Sequence, residues 1–468
     1  MMKKKSLWVK RALCLGLAGV LSFGVLAGCG GKKNADNGKV KISVGNWPDE
    51  KADPTRYKVY EGYLKKMNAK YPNIEIVPDT YQYSLDTFIV RSAADQIPTL
   101  FGSWYTEINK VIDAGAAKDI TSIMKEKGYD KAMNKDVLEL CTKDGKIYAT
   151  PHDAYAQGLF INKKVFKDAG LVNSDGSVKI PSTWDEVAEF GKIIHDKTGK
   201  SGIAYPAKGN TGGWHFMNIA WSYGVEFVKE KDGKYKANFD NQKCIDALQY
   251  VKDLKWKYNA TQENALIDRG EMEELFASDR VGMCITPPPT DNLVSYCGMD
   301  RNNIVYARMP AGPKGRYSQM GGNVWMITPS ATDEQVDAAF KWLEITGETP
   351  KVDDEIAKSI EDNIKTRNKD GLAVFDRDPF NMWNDDARNK KEQEIRKQYV
   401  NVDAKDYEDY FGFKDVTIKP EEPASAQELY TLFDSCIQEV FTNKNADVAA
   451  LVKKANKDFQ TNYLNKLD

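Results

Sequence analysis

Histidines are scarce and closely spaced cysteine pairs are absent in this chain of 468 residues. It has only three histidines, His152, His195 and His215, and its seven cysteines form no C-x-x-C pair. A zinc site needs Cys and His at ligand spacing, so the sequence predicts no metal centre. The chain also lacks a phosphate-binding glycine loop and a nucleophile motif. The sequence therefore predicts no cofactor and argues against most classes of enzyme.

An excess of charge of one sign is also absent. The chain carries 66 basic and 68 acidic residues, a formal net charge of −2, and its apolar fraction is 41%. A nucleic-acid-binding protein usually shows a basic excess or a basic cluster, and neither is present. The composition is that of a globular protein rather than a polytopic membrane protein. No internal repeat and no low-complexity tract is found.

The long apolar run of the chain is confined to residues 13–27. It follows five positive charges and ends at Leu26 to Cys29 (LAGC), which matches the bacterial lipobox. The sequence predicts a signal peptide at 1–28, a lipid on Cys29 and a flexible tether at 29–39. The alternative is an uncleaved membrane helix. Cleavage before Cys29 would leave a net charge of −7 on a protein held at the cell membrane and facing outward. The lipobox followed by Gly30 and a short tether favours a Gram-positive surface, with the inner or outer membrane of a Gram-negative cell as the alternative.

Five cysteines remain beyond the lipobox, at 141, 244, 284, 297 and 436. Their odd number and irregular spacing are not typical of a disulfide framework. The pattern favours free thiols, with a Cys284–Cys297 disulfide as the alternative.

Strand patterns alternate with helix patterns along the rest of the chain, which favours an α/β fold with a parallel sheet. Asp53 and Pro54 have the form of a helix N-cap and first residue, and Thr183 to Glu186 the form of a capping box. The charged segment 351–420 predicts an outer, solvated face. The predicted strands are 41–46, 74–77, 97–101, 282–285, 304–307 and 324–327. The predicted helices are 54–67, 84–94, 108–112, 183–194, 213–223, 241–257, 271–278, 334–343 and 426–441.

Several motifs resemble those of one protein family. They are DGKIYATP at 144–151, GLFIN at 158–162, VFKDAG at 165–170, PSTWDE at 181–186, SDRVGM at 278–283, MPAGP at 309–313 and the Gly321–Gly322 pair. Together they resemble extracellular solute-binding protein family 1, the substrate-binding lipoproteins of ABC importers. Thr99 and the Phe160–Ile161 pair depart from the family pattern, so the resemblance transfers the fold more securely than the specificity.

The resemblance implies a two-lobed, periplasmic-binding-protein-like fold of type II, with a ligand cleft between lobes joined by chain crossovers. Lobe one would hold 40–151 and 286–325, and lobe two 152–285 and 326–468. It also implies a monomeric, non-enzymatic protein that captures an extracellular oligosaccharide and delivers it to an ABC permease.

Ligands of open α/β sheets bind beyond the carboxyl ends of the strands, which selects candidate binding residues. Sugars stack on aromatic rings and hydrogen-bond to amides and carboxylates. The predicted ligand-binding residues are Asn46, Trp47, Trp104, Tyr105, His152, Asp153, Tyr155, Trp214, Asn218, Asn323 and Trp383. Among the other tryptophans, Trp184, Trp256 and Trp342 are predicted to be core, and Trp325 fits either role.

Two alternatives stay open on the sequence. The same architecture could hold another solute, such as a small anion, a polyamine or an iron complex. A surface glycosidase that uses two carboxylates is the third hypothesis.

Overall fold

The computed structural model describes residues 38–288, 291–412 and 415–467. The predicted signal peptide at 1–28, the lipid site Cys29 and most of the predicted tether lie outside the described residues. From Val40 onward the chain forms a unit of its own.

Local sequence accounts for most of the elements. In the first strand Ile42 and Val44 point inward, as a period of two requires. Asp53 caps the next helix by accepting a hydrogen bond from the Arg56 amide, and Pro54 is its first residue, as predicted. The strands are β1 Val40–Val44, β2 Ile74–Pro78, β3 Leu100–Trp104, β4 Thr142–Lys143, β5 Lys146–Ile147, β6 Ala149–Pro151, β7 Tyr155–Ala156, β8 Gly158–Asn162, β9 Ser201–Ala204, β10 Val228–Lys231, β11 Lys234–Ala237, β12 Val281–Thr286, β13 Ile304–Ala307, β14 Ala311–Gly312, β15 Gly315–Gly321, β16 Asn323–Ile327 and β17 Val416–Pro420.

The helices follow the same rhythm, and short 3-10 turns lie at Tyr105–Glu107, Arg301–Asn303, Ala404–Asp406 and Leu464–Lys466. The α-helices are α1 Pro54–Lys70, α2 Phe88–Ala93, α3 Ile108–Asp113, α4 Thr121–Glu126, α5 Tyr129–Ala132, α6 Lys135–Glu139, α7 Lys163–Asp168, α8 Trp184–Thr198, α9 Thr211–Ser222, α10 Gln242–Trp256, α11 Arg269–Ala277, α12 Asp291–Ser295, α13 Asp333–Thr346, α14 Asp354–Lys369, α15 Asp386–Lys397, α16 Glu408–Phe411, α17 Ala426–Thr442 and α18 Val448–Asn462.

The first sheet has the order β2-β1-β3-β16-β6. The β1 strand pairs in parallel with β2 and β3, whereas β16 runs antiparallel to β3 and β6. Asn323, the first residue of β16, is therefore opposite Trp104, the last residue of β3. This edge collects the ends of β1, β3 and β6 and the start of β16. We call the part of the protein built on this sheet lobe one.

The second sheet has the order β13-β8-β12-β9, with β8 antiparallel to both of its neighbours. Every residue of β8 is buried, because both faces of the sheet are covered. Leu159 and Ile161 join a large core with α8, α9, α10, α17 and α18, and Phe160 packs on the opposite face. We call this part lobe two. A third sheet of β7, β14, β15 and β17 adjoins the chain crossovers at 151–155 and 321–323, which we call the hinge.

The structure differs from the predicted lobe boundaries at two segments. The β13 strand, placed by the sequence in lobe one, pairs with β8 in the second sheet, with Ile304 opposite Asn162. The α13 helix, placed in lobe two, packs on lobe one because its Trp342 stacks against Trp47 at 5.4 Å. Local patterns define the elements, but strand pairing decides which sheet each one joins.

Two further expectations need correction. Trp256, predicted to be core, is 37% exposed, although its indole donates to the Val440 carbonyl. The segment 351–420 is not only a solvated face, because Phe375 and Tyr410 are buried against the second sheet. Trp184, Trp325 and Trp342 are buried.

Candidate ligand-binding cleft

The edge of lobe one at the hinge brings together residues from β3, β16 and the crossover after β6. The Asp153 carboxylate accepts hydrogen bonds from the Asn323 amide nitrogen at 2.9 Å and from its side-chain Nδ2 at 2.9 and 3.0 Å. The Tyr105 hydroxyl donates to the Asp153 carbonyl at 3.2 Å. Asn323 and Tyr105 thereby hold the first crossover against the end of β3.

The second crossover, at 321–323, requires glycine because the rings of Tyr105 and Tyr155 lie close to its backbone. A Cβ at Gly321 would lie 2.8 Å from the Tyr155 hydroxyl oxygen. Gly322 has a φ of +152°, and a Cβ there would lie 2.3 Å from the Asp153 carbonyl oxygen and 2.9 Å from Cε2 of Tyr105. The hinge is therefore closely packed where Tyr105 and Tyr155 meet it.

Lobe two contributes Trp214, in the first turn of α9. Its ring lies edge-on to Tyr155, with 6.2 Å between ring centroids. The carboxylate of Asp434 accepts from the amides of Asn210 at 2.7 Å and Gly213 at 2.8 Å. These amides at the N-terminus of α9 already have a partner, so they do not form a free anion site.

Two carboxyl groups that the sequence analysis did not select lie beside these aromatic residues. Glu107, only 4% exposed, accepts from the Tyr83 hydroxyl at 3.0 Å, and Tyr83 packs against Trp104. Glu421 accepts from the Tyr430 hydroxyl at 2.9 Å, and the Trp214 side chain lies close enough to act on its pKa. Glu107 follows β3 directly, so the strand-end rule could have found it. Glu421 has no comparable signal in the sequence.

Burial shifts the titration of both carboxyl groups. Desolvation raises the pKa of Glu421 to about 7; the Tyr430 hydroxyl and the Trp214 side chain oppose this rise, and the negative charge of Glu107 adds to it. Desolvation also raises the pKa of Glu107, although Lys110 and Tyr83 act in the opposite direction. Near neutral pH, Glu421 can therefore both donate and accept hydrogen bonds.

Contacts between the lobes show that these residues face each other. The Gln427 side chain, in α17, donates to the Thr106 hydroxyl at 3.3 Å, and Lys110 lies 3.7 Å from the Glu428 carboxylate. The following residues are referred to together as the cleft cluster: Tyr83, Trp104, Glu107, Asp153, Tyr155, Trp214 and Glu421. Four of them, Trp104, Asp153, Tyr155 and Trp214, were selected from the sequence.

Trp47 and Asn218 do not join the cleft cluster, which corrects two of the predicted site residues. Trp47 is 3% exposed and lies between Tyr60 and Trp342 in the core of lobe one. Asn218 is fully buried and donates to Gln157 at 2.5 Å. Trp47 follows a strand end, but the helices of lobe one enclose it.

Asn46, another predicted site residue, packs against the backbone of β3. It has a φ of +55°, and its side chain lies over Gly102 of β3, where a Cβ would be 2.1 Å from its Nδ2. Asn46 therefore covers the backbone of β3, and glycine at 102 leaves the space for it.

His152 and Trp383, also selected from the sequence, line a cavity of about 270 Å³ on the lobe-one side of the hinge, where Asp153 reaches as well. The Nδ1 atom of His152 lies 2.8 Å from the Glu348 carboxylate, which also accepts from the Trp325 indole at 2.9 Å. Burial alone would lower the pKa of His152, but Glu348 and Asp153 raise it to about 9. Of the predicted residues, Trp104, Tyr155 and Trp214 lie in the cleft cluster, His152 and Trp383 line this cavity, and Asp153 belongs to both.

The described residues contain neither a metal-binding cluster nor a membrane-spanning helix. Within residues 38–288, 291–412 and 415–467, no group of three or more His, Cys, Asp or Glu side chains could hold a metal ion. No helix among these residues has the length and apolar character to cross a membrane. The five cysteines after Cys29 are free thiols, of which only Cys297 is partly exposed.

Comparison with known proteins identifies relatives that are named as binding proteins. A binding protein of Brucella abortus strain 2308 is 26% identical over 320 residues, which is 66% of this chain and 73% of the relative. The diacetylchitobiose binding protein DasA of Streptomyces coelicolor is 26% identical over 297 residues, 59% of this chain and 64% of the relative.

The fold matches solved structures over nearly the whole described chain. The cyclic alpha-maltosyl-1,6-maltose binding protein from Arthrobacter globiformis aligns with a TM-score of 0.61 and 19% identity, covering 90% of this chain and 98% of that one. Such a match shows the two-lobed α/β fold. The family model for bacterial extracellular solute-binding proteins matches residues 51–345. Since this match spans well over half of the sequence, the chain belongs to the bacterial extracellular solute-binding protein family.

Proposed function

We propose that this protein binds a neutral oligosaccharide in the cleft cluster and delivers it to an ABC permease. The observation that carries the proposal is that Trp104 and Trp214 stand on facing lobes beside hydrogen-bonding carboxyl groups. Aromatic rings stack on the C–H faces of sugars, and the carboxyl groups of Glu107 and Glu421 suit the hydroxyls.

The state of the carboxyl groups supports a neutral ligand. Two ionised acids would favour a cation such as a polyamine, which is the second candidate. However, burial raises the pKa of both Glu107 and Glu421, so the cleft disfavours the charged forms that a cation would need. The names of relatives add support, because they refer to diacetylchitobiose and to a cyclic maltosyl-maltose.

The cellular part of the proposal is a lipid on Cys29 that tethers the body outside the membrane. It is supported by the order of positive charges, apolar run and LAGC at the N-terminus. Two or three acyl chains on one cysteine hold a protein firmly at a bilayer. Lobe closure around the sugar would then present the loaded form to the permease.

The experiment is a thermal-shift screen of the purified protein against neutral oligosaccharides and polyamines. A ligand that binds only the folded state must raise the melting temperature. The best ligand is then titrated into Trp104→Ala, Trp214→Ala and the control Trp256→Phe, which changes a tryptophan outside the cleft.

An aromatic contact contributes about 0.5–1.5 kcal/mol beyond buried area, so each cleft variant should weaken sugar binding by about tenfold. The control should bind like the wild type. Stabilisation by polyamines alone would favour the second candidate. Folded cleft variants with wild-type affinity for the sugar would overturn the site.

A further inference from the structure

The cavity beside the hinge, lined by His152 and Trp383, is distinct from the cleft between the lobes. Its volume is about 270 Å³, and it is lined by the hinge at 151–154, the end of α13, the helices α14 and α15, and the loop at 378–383. The cleft aromatics Trp104 and Trp214 are not among its lining residues. The cavity is slightly smaller than the pockets that take drug-sized ligands, so it suits one small molecule.

Three arginines line the cavity, and two of them are paired with carboxylates. Arg367 donates to both carboxylate oxygens of Asp291, at 2.7 Å each. Arg396 reaches Asp378 at 2.8 Å and Glu392 at 2.7 Å. These guanidinium groups already have carboxylate partners and have little hydrogen-bonding capacity left for a ligand.

Arg388, the third arginine of the cavity, has no carboxylate partner within hydrogen-bond distance among the described residues. It is 7% exposed, and its Nε and Nη1 atoms are buried without a hydrogen-bond partner. Its Nη2 atom makes only a long contact of 3.4 Å with the Gly347 carbonyl, and the guanidinium stacks on Trp383 at 4.5 Å from the ring centroid. A buried cation with unused N–H groups is costly, because it has given up water without gaining acceptors.

The carboxylates nearest the hinge do not supply those acceptors. Glu348 accepts from His152 and Trp325, and Asp153 accepts from Asn323. Asp378 and Glu392 also line the cavity and act on Arg388 through their charge, but their ion pairs are with Arg396.

The rest of the lining indicates the chemistry of an occupant. Ser359, Asn363 and Asn381 supply a hydroxyl and two amides, which pair with hydroxyl groups. Asn381 and Asn363 are exposed, so the cavity opens to solvent on their side. A carboxylate is the acceptor that matches a guanidinium best. We propose that this cavity is a second ligand site, which binds a small hydroxylated carboxylate, such as a sugar acid, through Arg388.

The test is calorimetric titration of the full-length protein in detergent with D-galacturonate and with D-galactose, which has the same ring without the carboxylate. The variants are Arg388→Gln and Trp214→Ala. Galacturonate should bind the wild type, lose at least about tenfold in affinity in Arg388→Gln, and bind Trp214→Ala unchanged. Any binding of galactose should be insensitive to Arg388→Gln.

The matched control is Arg367→Gln, which removes the same charge from the same cavity but from a guanidinium already paired. It should bind galacturonate like the wild type. If Arg388→Gln melts early, Asn363→Asp serves instead, because it places a repelling charge at an exposed position of the cavity and should weaken galacturonate alone.

Three results would overturn the proposal. The first is a wild type that does not bind millimolar galacturonate. The second is equal weakening by Arg367→Gln and Arg388→Gln, since it would indicate a general field rather than a contact. The third is loss of galacturonate binding in Trp214→Ala, since the acid would then occupy the cleft. The third result would leave a sugar site in the cleft standing, so the two proposals fail separately.

Discussion

Replacing Glu421 by glutamine tests the electrostatics of the cleft. Burial raises the pKa of this carboxyl from 4.5 to about 7. One unit of pKa difference corresponds to about 1.36 kcal/mol, so the ionised carboxyl costs the folded state at most about 3–4 kcal/mol. Because Glu421 remains partly exposed, we expect about 1–2 kcal/mol.

The direction in which stability changes with pH follows from how tightly the folded and unfolded chains bind the proton of Glu421. Below pH 4.5 the carboxyl is protonated in both the folded and the unfolded chain and contributes no difference. Between pH 4.5 and about 7 the folded chain holds the proton more tightly, so its stability falls as the pH rises. Glutamine stays neutral. Glu421→Gln should therefore be more stable than the wild type at pH 8, with the difference shrinking towards pH 5.

The assay is urea unfolding, followed by tryptophan fluorescence, at pH 5, 6, 7 and 8. Glu274→Gln, on the exposed part of α11, is the control that removes a carboxylate outside the cleft. Glu107→Gln should reduce the effect, because Glu107 helps to raise the pKa of Glu421. A difference between Glu421→Gln and the wild type that does not change with pH would refute the reasoning.

The remaining predictions concern the core, the hinge, the anchor and catalysis. Trp47→Ala should lower the free energy of unfolding by about 3–5 kcal/mol because Trp47 is buried, and should leave sugar affinity unchanged. Gly322→Ala should cost about 2 kcal/mol, since its positive φ and the nearby Asp153 carbonyl leave no space for a Cβ. Cys29→Ser should release the protein from the membrane, measured by fractionation, whereas Cys14→Ser should not. The purified protein should return a bound sugar intact, as measured by reducing-end analysis.

Each of these has a contrary outcome. A folded Trp47→Ala protein with normal stability and weakened sugar binding would restore the residue to the site. A Gly322→Ala protein as stable as the wild type would show that the hinge can shift. Lipid found by mass spectrometry at a residue other than Cys29 would remove the proposed anchor. Release of reducing ends, lost on mutating one carboxylate, would revive the glycosidase hypothesis.

Part of the candidate cleft could be predicted because its residues lie at the ends of strands. Trp104, Asp153 and Asn323 were selected by the strand-end rule, and the structure places them at one edge of the first sheet. The same rule selected Trp47, which is core. A strand end specifies an edge, but whether the side chain faces the cleft or a helix depends on what packs there, and here Trp342 of α13 covers it.

The sequence by itself determined several local elements, such as β1 and the capped start of α1, since period-two burial and helix caps depend on neighbouring residues. It also carried the motifs of the family. It missed short strands such as β4 and β5 and placed β3 at 97–101 rather than Leu100–Trp104. Only the tertiary structure decided that β13 joins the second sheet, that Glu421 meets Trp214 across more than two hundred positions, and that Arg388 faces a cavity. These features depend on contacts between distant segments. Periodicity and capping patterns describe only neighbouring residues, so they do not specify which distant segments pack together.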